Sequence, residues 1–268
     1  MTSYEPPTDR VLAGGIANAG AIVRRGDLVL RPAGPHTAGV NRFLAGVRAA
    51  GFDGAPEPRG IGDDGRERLR FIPGDVAVPP YPAWAQTDAA LASIARLVRR
   101  LHDVATAVGV PDGDWNDELA DPAGGPIVCH NDVCLENVVF RGGEAVGLID
   151  FDFAAPGHAL HDLVHFARMC VPLDDDVTAA RRGWAPDERS RRLRLVCDAY
   201  GLAPDDRHRV VEQIGSSIAQ ATAFVLRRVE AGETAFVATL AALGGADRFR
   251  RRNEWWQGNR HAIAKALR

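Results

Sequence analysis

The chain lacks an excess of either charge: 32 Lys and Arg stand against 35 Asp and Glu, for a net charge of −3 over 268 residues. A nucleic-acid-binding surface needs a basic excess, so no nucleic-acid partner is expected. No apolar run approaches the ~18–20 residues that cross a bilayer, so no membrane partner is expected either. The opening residues MTSYEPPTDR lack the basic-then-apolar pattern of a secretory signal. Cysteines are scarce, and Cys129, Cys134, Cys170 and Cys197 follow neither a disulfide framework nor a paired zinc spacing. They read as buried small hydrophobes in a reducing compartment, and the expected setting is the cytoplasm. Internal repeats and low-complexity tracts are absent as well.

What is present is ordinary for a globular chain, with 46% apolar and 25% charged residues. Residues 11–31 read as two strands, with a tight turn at Arg25-Gly26-Asp27. Val40, Phe43, Leu44 and Val47 recur at helical spacing over 37–50, and Gly51 stands where a helix would stop. Residues 67–72, ERLRFI, alternate as a strand. This β-β-α-β pattern predicts a small β-rich N-terminal lobe over residues 1–78. Pro79-Pro80-Tyr81-Pro82 forms a stiff connector. Residues 79–268 then predict a mostly helical C-terminal lobe. Its first helix spans 87–105 with Thr87 as N-cap, and others follow at about 157–170, 187–200, 205–231 and 245–267.

One segment breaks this helical half. In VCHNDVCLENVVFRGGEAVGLIDFDF, from Val128 to Phe153, His130, Asp132, Asn137, Asp150 and Asp152 stand among apolar residues. Charged groups are costly to bury, so apolar strands usually exclude them. Two short strands joined through Gly142-Gly143 make a hairpin, whose open ends bring Asp132, Asn137 and Asp150 together. Three oxygen-bearing side chains there suit a hard cation such as Mg2+, which takes one or two carboxylates plus phosphate oxygens. The spacing H-x-D-x4-N, followed by Asp150-Phe151, matches the phosphoryl-transfer template of kinases.

These residues resemble the aminoglycoside phosphotransferase and choline-kinase-like family of small-molecule kinases. CHNDVCLENVVF looks like that family's catalytic loop and VGLIDFDFAAPG like its metal-binding segment. Ile72-Pro73-Gly74, Leu101-His102 and Asp162-Leu163 match further family positions. The resemblance runs over most of residues 11–170 and implies an α+β, bilobal, protein-kinase-like fold. It implies ATP or GTP as phosphoryl donor, with Mg2+ as cofactor and a small-molecule hydroxyl as acceptor. By the same resemblance Asp132 is the catalytic base, and Asn137 and Asp150 are the magnesium ligands. His130 braces the loop, Asp162 either hydrogen-bonds it from behind or is a plain helix N-terminal acid, and Asp152 is either a second metal contact or a loop cap.

The pattern also breaks. Asn131 replaces the Arg that follows the loop His in protein kinases, and no A-P-E motif follows, which argues against a kinase switched by activation-loop phosphorylation. Arg31 stands where the phosphate-reaching lysine belongs, and no acid occurs from Pro32 to Phe52 to pair with it. Arg31 is then either an unaided phosphate-binding cation or a surface residue. Gly14-Gly15 replaces a full glycine-rich loop; either its amides cover the nucleotide phosphates or it is an ordinary hairpin turn. These departures leave a rival reading, a non-catalytic kinase-like binding module. On family resemblance the acceptor is aminoglycoside-like or an amino-alcohol. Asp174-Asp175-Asp176 and Trp255-Trp256 could serve such cations, or could be a solvated run and packing anchors.

Overall fold

In the computed structural model residues 9–12 and 21–268 are described, so Gly14 and Gly15 lie outside the described residues. The N-terminal part is an antiparallel sheet of β1 (Arg10–Val11), β2 (Val23–Arg25), β3 (Leu28–Pro32), β4 (Pro58–Ile61) and β5 (Arg66–Arg70), in the order β1-β2-β3-β5-β4. Helix α1 (Thr37–Ala49) buries Val40, Phe43, Leu44 and Val47, the stripe expected from its periodicity. Strand β5 alternates, with Glu67 and Leu69 turned inward. Its register sets Glu67 directly opposite Arg31 on β3.

The next strand, β6 (Asp75–Val76), leaves that sheet and joins β8 (Val138–Arg141) and β9 (Glu144–Leu148) in a second one. It pairs Asp75 with Phe140 and Val76 with Val139. Gly74 permits this approach, because its φ is +154° and a Cβ there would fall 2.4 Å from the Phe140 carbonyl oxygen. The β8–β9 hairpin turns through Gly142 and Gly143 at φ +60° and +83°, the left-handed conformations that a tight hairpin demands.

Helix α2 (Asp88–Val108) starts where Thr87 accepts a hydrogen bond from the Ala90 amide. Its Leu91, Ile94, Leu97, Val98 and Leu101 are all at most 1% exposed, so this helix is the axis of the core. Strands β7 (Ile127–Cys129) and β10 (Ala155–Gly157) pair antiparallel and bracket the hairpin. Helices α3 (Ala159–Cys170), α4 (Asp176–Arg181), α5 (Arg189–Tyr200), α6 (Arg207–Glu230), α7 (Thr234–Ala242) and α8 (Asp247–Leu267) complete the larger part. One apolar cluster runs from Val40 in α1 to Leu267 in α8. The chain is thus a kinase-like α+β fold, a small β part on a larger helical part. All four cysteines are buried and unbonded. Among the described residues no helix is long and apolar enough to cross a membrane.

Elements β4, β6, α4 and α7 go beyond the sequence-based expectation. The strands are two and four residues long, and α4 has six residues, too few to show a period. Helix α7, TAFVATLAA, is apolar nearly all round and shows no stripe.

Candidate active site

Strand β7 delivers the chain into the loop His130-Asn131-Asp132, where burial would be costly for any unpaired backbone group. Asp162, fully buried in the first turn of α3, accepts hydrogen bonds from the His130 amide at 2.7 Å and the Asn131 amide at 2.8 Å. His102 of α2 donates to the same carboxylate through Nε2 at 3.0 Å, and its Nδ1 meets the Tyr200 hydroxyl at 2.7 Å. Burial alone would raise the Asp162 carboxyl. The hydrogen bonds from His102 and from the loop amides outweigh it and hold the group well below the usual carboxylate range. One anionic residue therefore pins the loop from behind.

His130 is closed off from solvent. Its Nε2 donates to the Ile149 carbonyl at 3.0 Å, its Nδ1 faces the Asp132 amide at 3.3 Å, and its ring packs 4.4 Å from that of Phe151. Burial lowers its pKa, which keeps the imidazole neutral. This places His130 as a strut between the two ends of the hairpin. Asn131 takes φ +63°, a left-handed conformation that Asn tolerates better than most residues. Its side chain donates to the Phe153 carbonyl at 3.0 Å, and its carbonyl meets His165 Nδ1 at 3.2 Å.

Asp132 is half-buried at the front of the loop. Asn137, in the single turn that enters β8, donates from Nδ2 to the Asp132 carbonyl and to its Oδ2, both at 2.9 Å. With Nδ2 engaged twice, the amide Oδ1 is the atom left to meet a cation. Burial, then the charges of Asp150 and Glu136, push the Asp132 carboxyl up to about 8, against the pull of Arg168 and Asn137. Asp150 follows β9 at φ +64°, ψ +65°, a conformation that turns its carboxylate toward this group. Burial and the neighbouring Asp152 raise its pKa, and Arg31 draws it back.

Arg31 corrects both alternatives read from the sequence, an unaided cation or a surface residue. It is 7% exposed and reaches Glu67 through Nε, and Asp150 and Asp152 through Nη1 at 3.2 and 2.7 Å. Burial opposes its charge, but Asp152, Glu67 and Asp150 outweigh that and hold it more firmly protonated than usual. The acid missing from α1 comes from the opposite strand of the sheet. A signal for it was available: an acid on the inward face of β5 needs a buried cation, and Arg31 stands across from it. The chain has one lysine, Lys265, so Arg supplies nearly all of its fixed positive charge.

The acidic run Asp174-Asp175-Asp176 is already engaged. Asp174 pairs with Arg248 and Asp176 with Arg189, while Asp175 caps α4 and pairs with Arg251. Trp256 is 3% exposed in the core, and Trp255 lies under the Arg189 guanidinium at 4.7 Å. Trp184 packs on Tyr81 at 4.8 Å. Asp132, Asn137, Asp150, Asp152 and Arg31 thus share one site, with His130 and Asp162 behind it. Among the described residues, no three His, Cys, Asp or Glu side chains are grouped as a metal site by themselves. A donor set of one carboxylate and one amide still fits Mg2+ when phosphate oxygens complete it.

Residues 113–194, which contain this loop and hairpin, match the model of the Phosphotransferase enzyme family. A trifolitoxin immunity protein from Rhizobium leguminosarum bv. trifolii is 34% identical over 199 residues, covering 72% of this chain and 75% of that protein. Among solved structures, a choline/ethanolamine kinase family protein from Mesorhizobium loti superposes with TM-score 0.59 at 19% identity, over 100% of this chain and 94% of that one. A macrolide 2′-phosphotransferase from Brachybacterium faecium gives TM-score 0.55 at 17% identity, over 89% and 92%. At these identities the structures speak for the fold.

Proposed function

Because the chain belongs to the Phosphotransferase enzyme family, as a small-molecule kinase by class, we propose that it moves the γ-phosphate of ATP or GTP to a hydroxyl of a small molecule. The observation that carries this reading is the convergence of Asp132, Asn137 and Asp150 on a loop pinned by Asp162. The nucleotide would lie in the crease between residues 1–78 and 79–268, and the cytoplasm, where nucleotide is at hand, is its setting.

In this account Asn137 and Asp150 hold Mg2+, which when bound neutralises phosphate charge. Asp132 orients the acceptor hydroxyl and takes its proton as the acceptor oxygen bonds to phosphorus. The bond from the γ-phosphorus to the bridging oxygen breaks, and a nucleoside diphosphate leaves. Arg31 offers a planar cation to the phosphates, held in place by Glu67. The neutral His130 passes no proton; it fixes the distance between the base and the metal ligands.

A second reading, a module that binds without transfer, is favoured by one observation: Arg31 engages Asp150 and Asp152, the carboxylates a cation would need. Turnover separates the two. Magnesium-dependent transfer from ATP or GTP is expected in the wild type, and Asp132→Asn should lower it about 10²–10⁴-fold with folding and nucleotide binding intact. Transfer that survives unchanged in Asp132→Asn would sink the base assignment.

A further inference from the structure

A buried guanidinium stays charged at any accessible pH and needs an anion or a full set of acceptors. Next to the catalytic loop, four guanidiniums, two buried and two half-buried, share one small cavity. Arg168 of α3, Arg182 after α4, and Arg248 and Arg252 one turn apart on α8 line it, with Asp174 and Trp184. Its volume is about 40 Å³. At roughly 10–15 Å³ per water, that is the room of a carboxylate or a tetrahedral oxyanion.

The carboxylates nearby do not balance these charges. Arg182 is paired with Glu136 at 2.7 Å, and Arg248 with Asp174 at 3.3 Å. Among the described residues neither Arg168 nor Arg252 makes a salt bridge. Arg168 bonds the Ser217 hydroxyl at 3.0 Å; Arg252 bonds the Ile218 carbonyl and the Thr222 hydroxyl, and packs on the Phe249 ring at 5.6 Å. Arg252 is only 3% exposed and Arg248 8%, and among the described residues the Nε of each has no hydrogen-bond partner. Burial, with Arg168 and Arg248 beside it, works against the Arg252 charge, and Asp174 offsets this only in part. Arg168 and Arg252 are thus built into the wall of a cavity without a salt bridge among the described residues, and Asp174, the carboxylate that lines it, is already paired with Arg248.

The cavity also lies on the acceptor's side of the loop. Helix α3 runs along that loop, with His165 against the Asn131 carbonyl and Cys170 against the Val133 carbonyl at 3.8 Å. Arg168, three residues after His165 and thus on the same helix face, faces the stretch between them, which is Asp132.

We propose that Arg168 and Arg252, with Arg248 and Arg182 around them, form a subsite for an anionic group of the acceptor. The acceptor is then a hydroxyl compound that carries a carboxylate or a phosphate. This rests on the phosphotransferase reading and reverses the charge expected from the aminoglycoside-like or amino-alcohol resemblance. The acids that might have met a cation are held by arginines, and the arginines left over look for an anion. Planar guanidiniums grip both oxyanions bidentately, so the two sources share one chemistry.

Titration calorimetry of the full chain with inorganic phosphate and with acetate, at constant ionic strength and without nucleotide, tests the subsite directly. One site tighter than for chloride is expected, weakened about tenfold or more in Arg252→Met and in Arg168→Gln. Arg168 is half-buried, so its variant carries the test should Arg252→Met fail to fold. Anion binding that both variants retain, or that is no tighter than chloride, overturns the proposal. With Mg-ATP, turnover is expected with hydroxy acids or with phosphorylated polyols, and whichever class works identifies the source. Arg168→Gln should then raise KM with little change in kcat. Turnover of cationic or neutral acceptors with KM unmoved by Arg168→Gln also overturns it. Loss of Mg-ATP binding with anion binding intact counts against phosphotransfer and leaves the subsite standing.

Discussion

Replacing Arg31 with Met should destabilise the fold more than any surface substitution, and for a reason that a second change can cancel. Glu67 is fully buried, its Oε2 faces Arg31, and its Oε1 has no other partner among the described residues. Removing one member of a buried pair strands the other charge, at a cost of about 3–5 kcal/mol. Asp150 and Asp152 are 27% and 36% exposed at their side chains and are screened by water, so they add little. Against a total stability of about 5–15 kcal/mol, such a loss lowers Tm by roughly 10 °C. Urea unfolding followed by circular dichroism measures it. Arg31→Met/Glu67→Leu should recover most of the loss, because removing both partners leaves no stranded charge. The same double variant should not recover nucleotide binding, since the cation facing Asp150 is gone. A single variant that loses less than about 1 kcal/mol, or a double variant as unstable as the single, would refute the buried-pair account.

Other expectations follow from the loop's electrostatics. Asp162→Asn removes a carboxylate that accepts two amides and His102, and should cost about 2–3 kcal/mol at pH 7. Because the folded state holds the Asp162 carboxyl below its ordinary value, this stability is fully present above about pH 4 and drains away as pH falls below it. The gap between wild type and Asp162→Asn should therefore narrow in acid; a pH-independent gap contradicts the assignment. Asp132 and Asp150 are raised in the metal-free protein, Asp132 to about 8. Cation binding must displace their protons, so Mg2+ affinity should climb between about pH 6 and 8 with net proton release. Calorimetry in buffers of different ionisation enthalpy reads that release, and none at pH 7 would count against Asp150 as a ligand beside Asp132.

How far the site is legible in the sequence depends on whether its signal is local. His130, Asp132, Asn137 and Asp150 lie within 21 residues on a Gly-Gly hairpin, so spacing and turn chemistry bring them together on paper. The long helices are legible for the same reason: Leu91, Ile94, Leu97, Val98 and Leu101 announce α2 by their period. Glu67 is not local. Its partner is 36 residues away, and only the strand register makes the pair. The kinase pattern places this acid in the following helix, where none occurs from Pro32 to Phe52. The arginine cavity is further still from any motif. Arg168 and Arg252 belong to two helices 84 residues apart in the chain, and only tertiary packing shows that neither makes a salt bridge among the described residues. Short elements such as α4 and β6 lack the length to carry a period, and packing alone fixes them.

The most direct test of the central claim is thermal unfolding of wild type and Asp150→Ala with and without Mg-ATP and Mg-GTP. Ligand at 100 times its Kd adds about 2.7 kcal/mol, or roughly 5–10 °C in Tm for a chain of this size. Stabilisation of the wild type that needs magnesium and vanishes in Asp150→Ala is the expected result. No shift at millimolar nucleotide, or an equal shift in Asp150→Ala, would contradict the account.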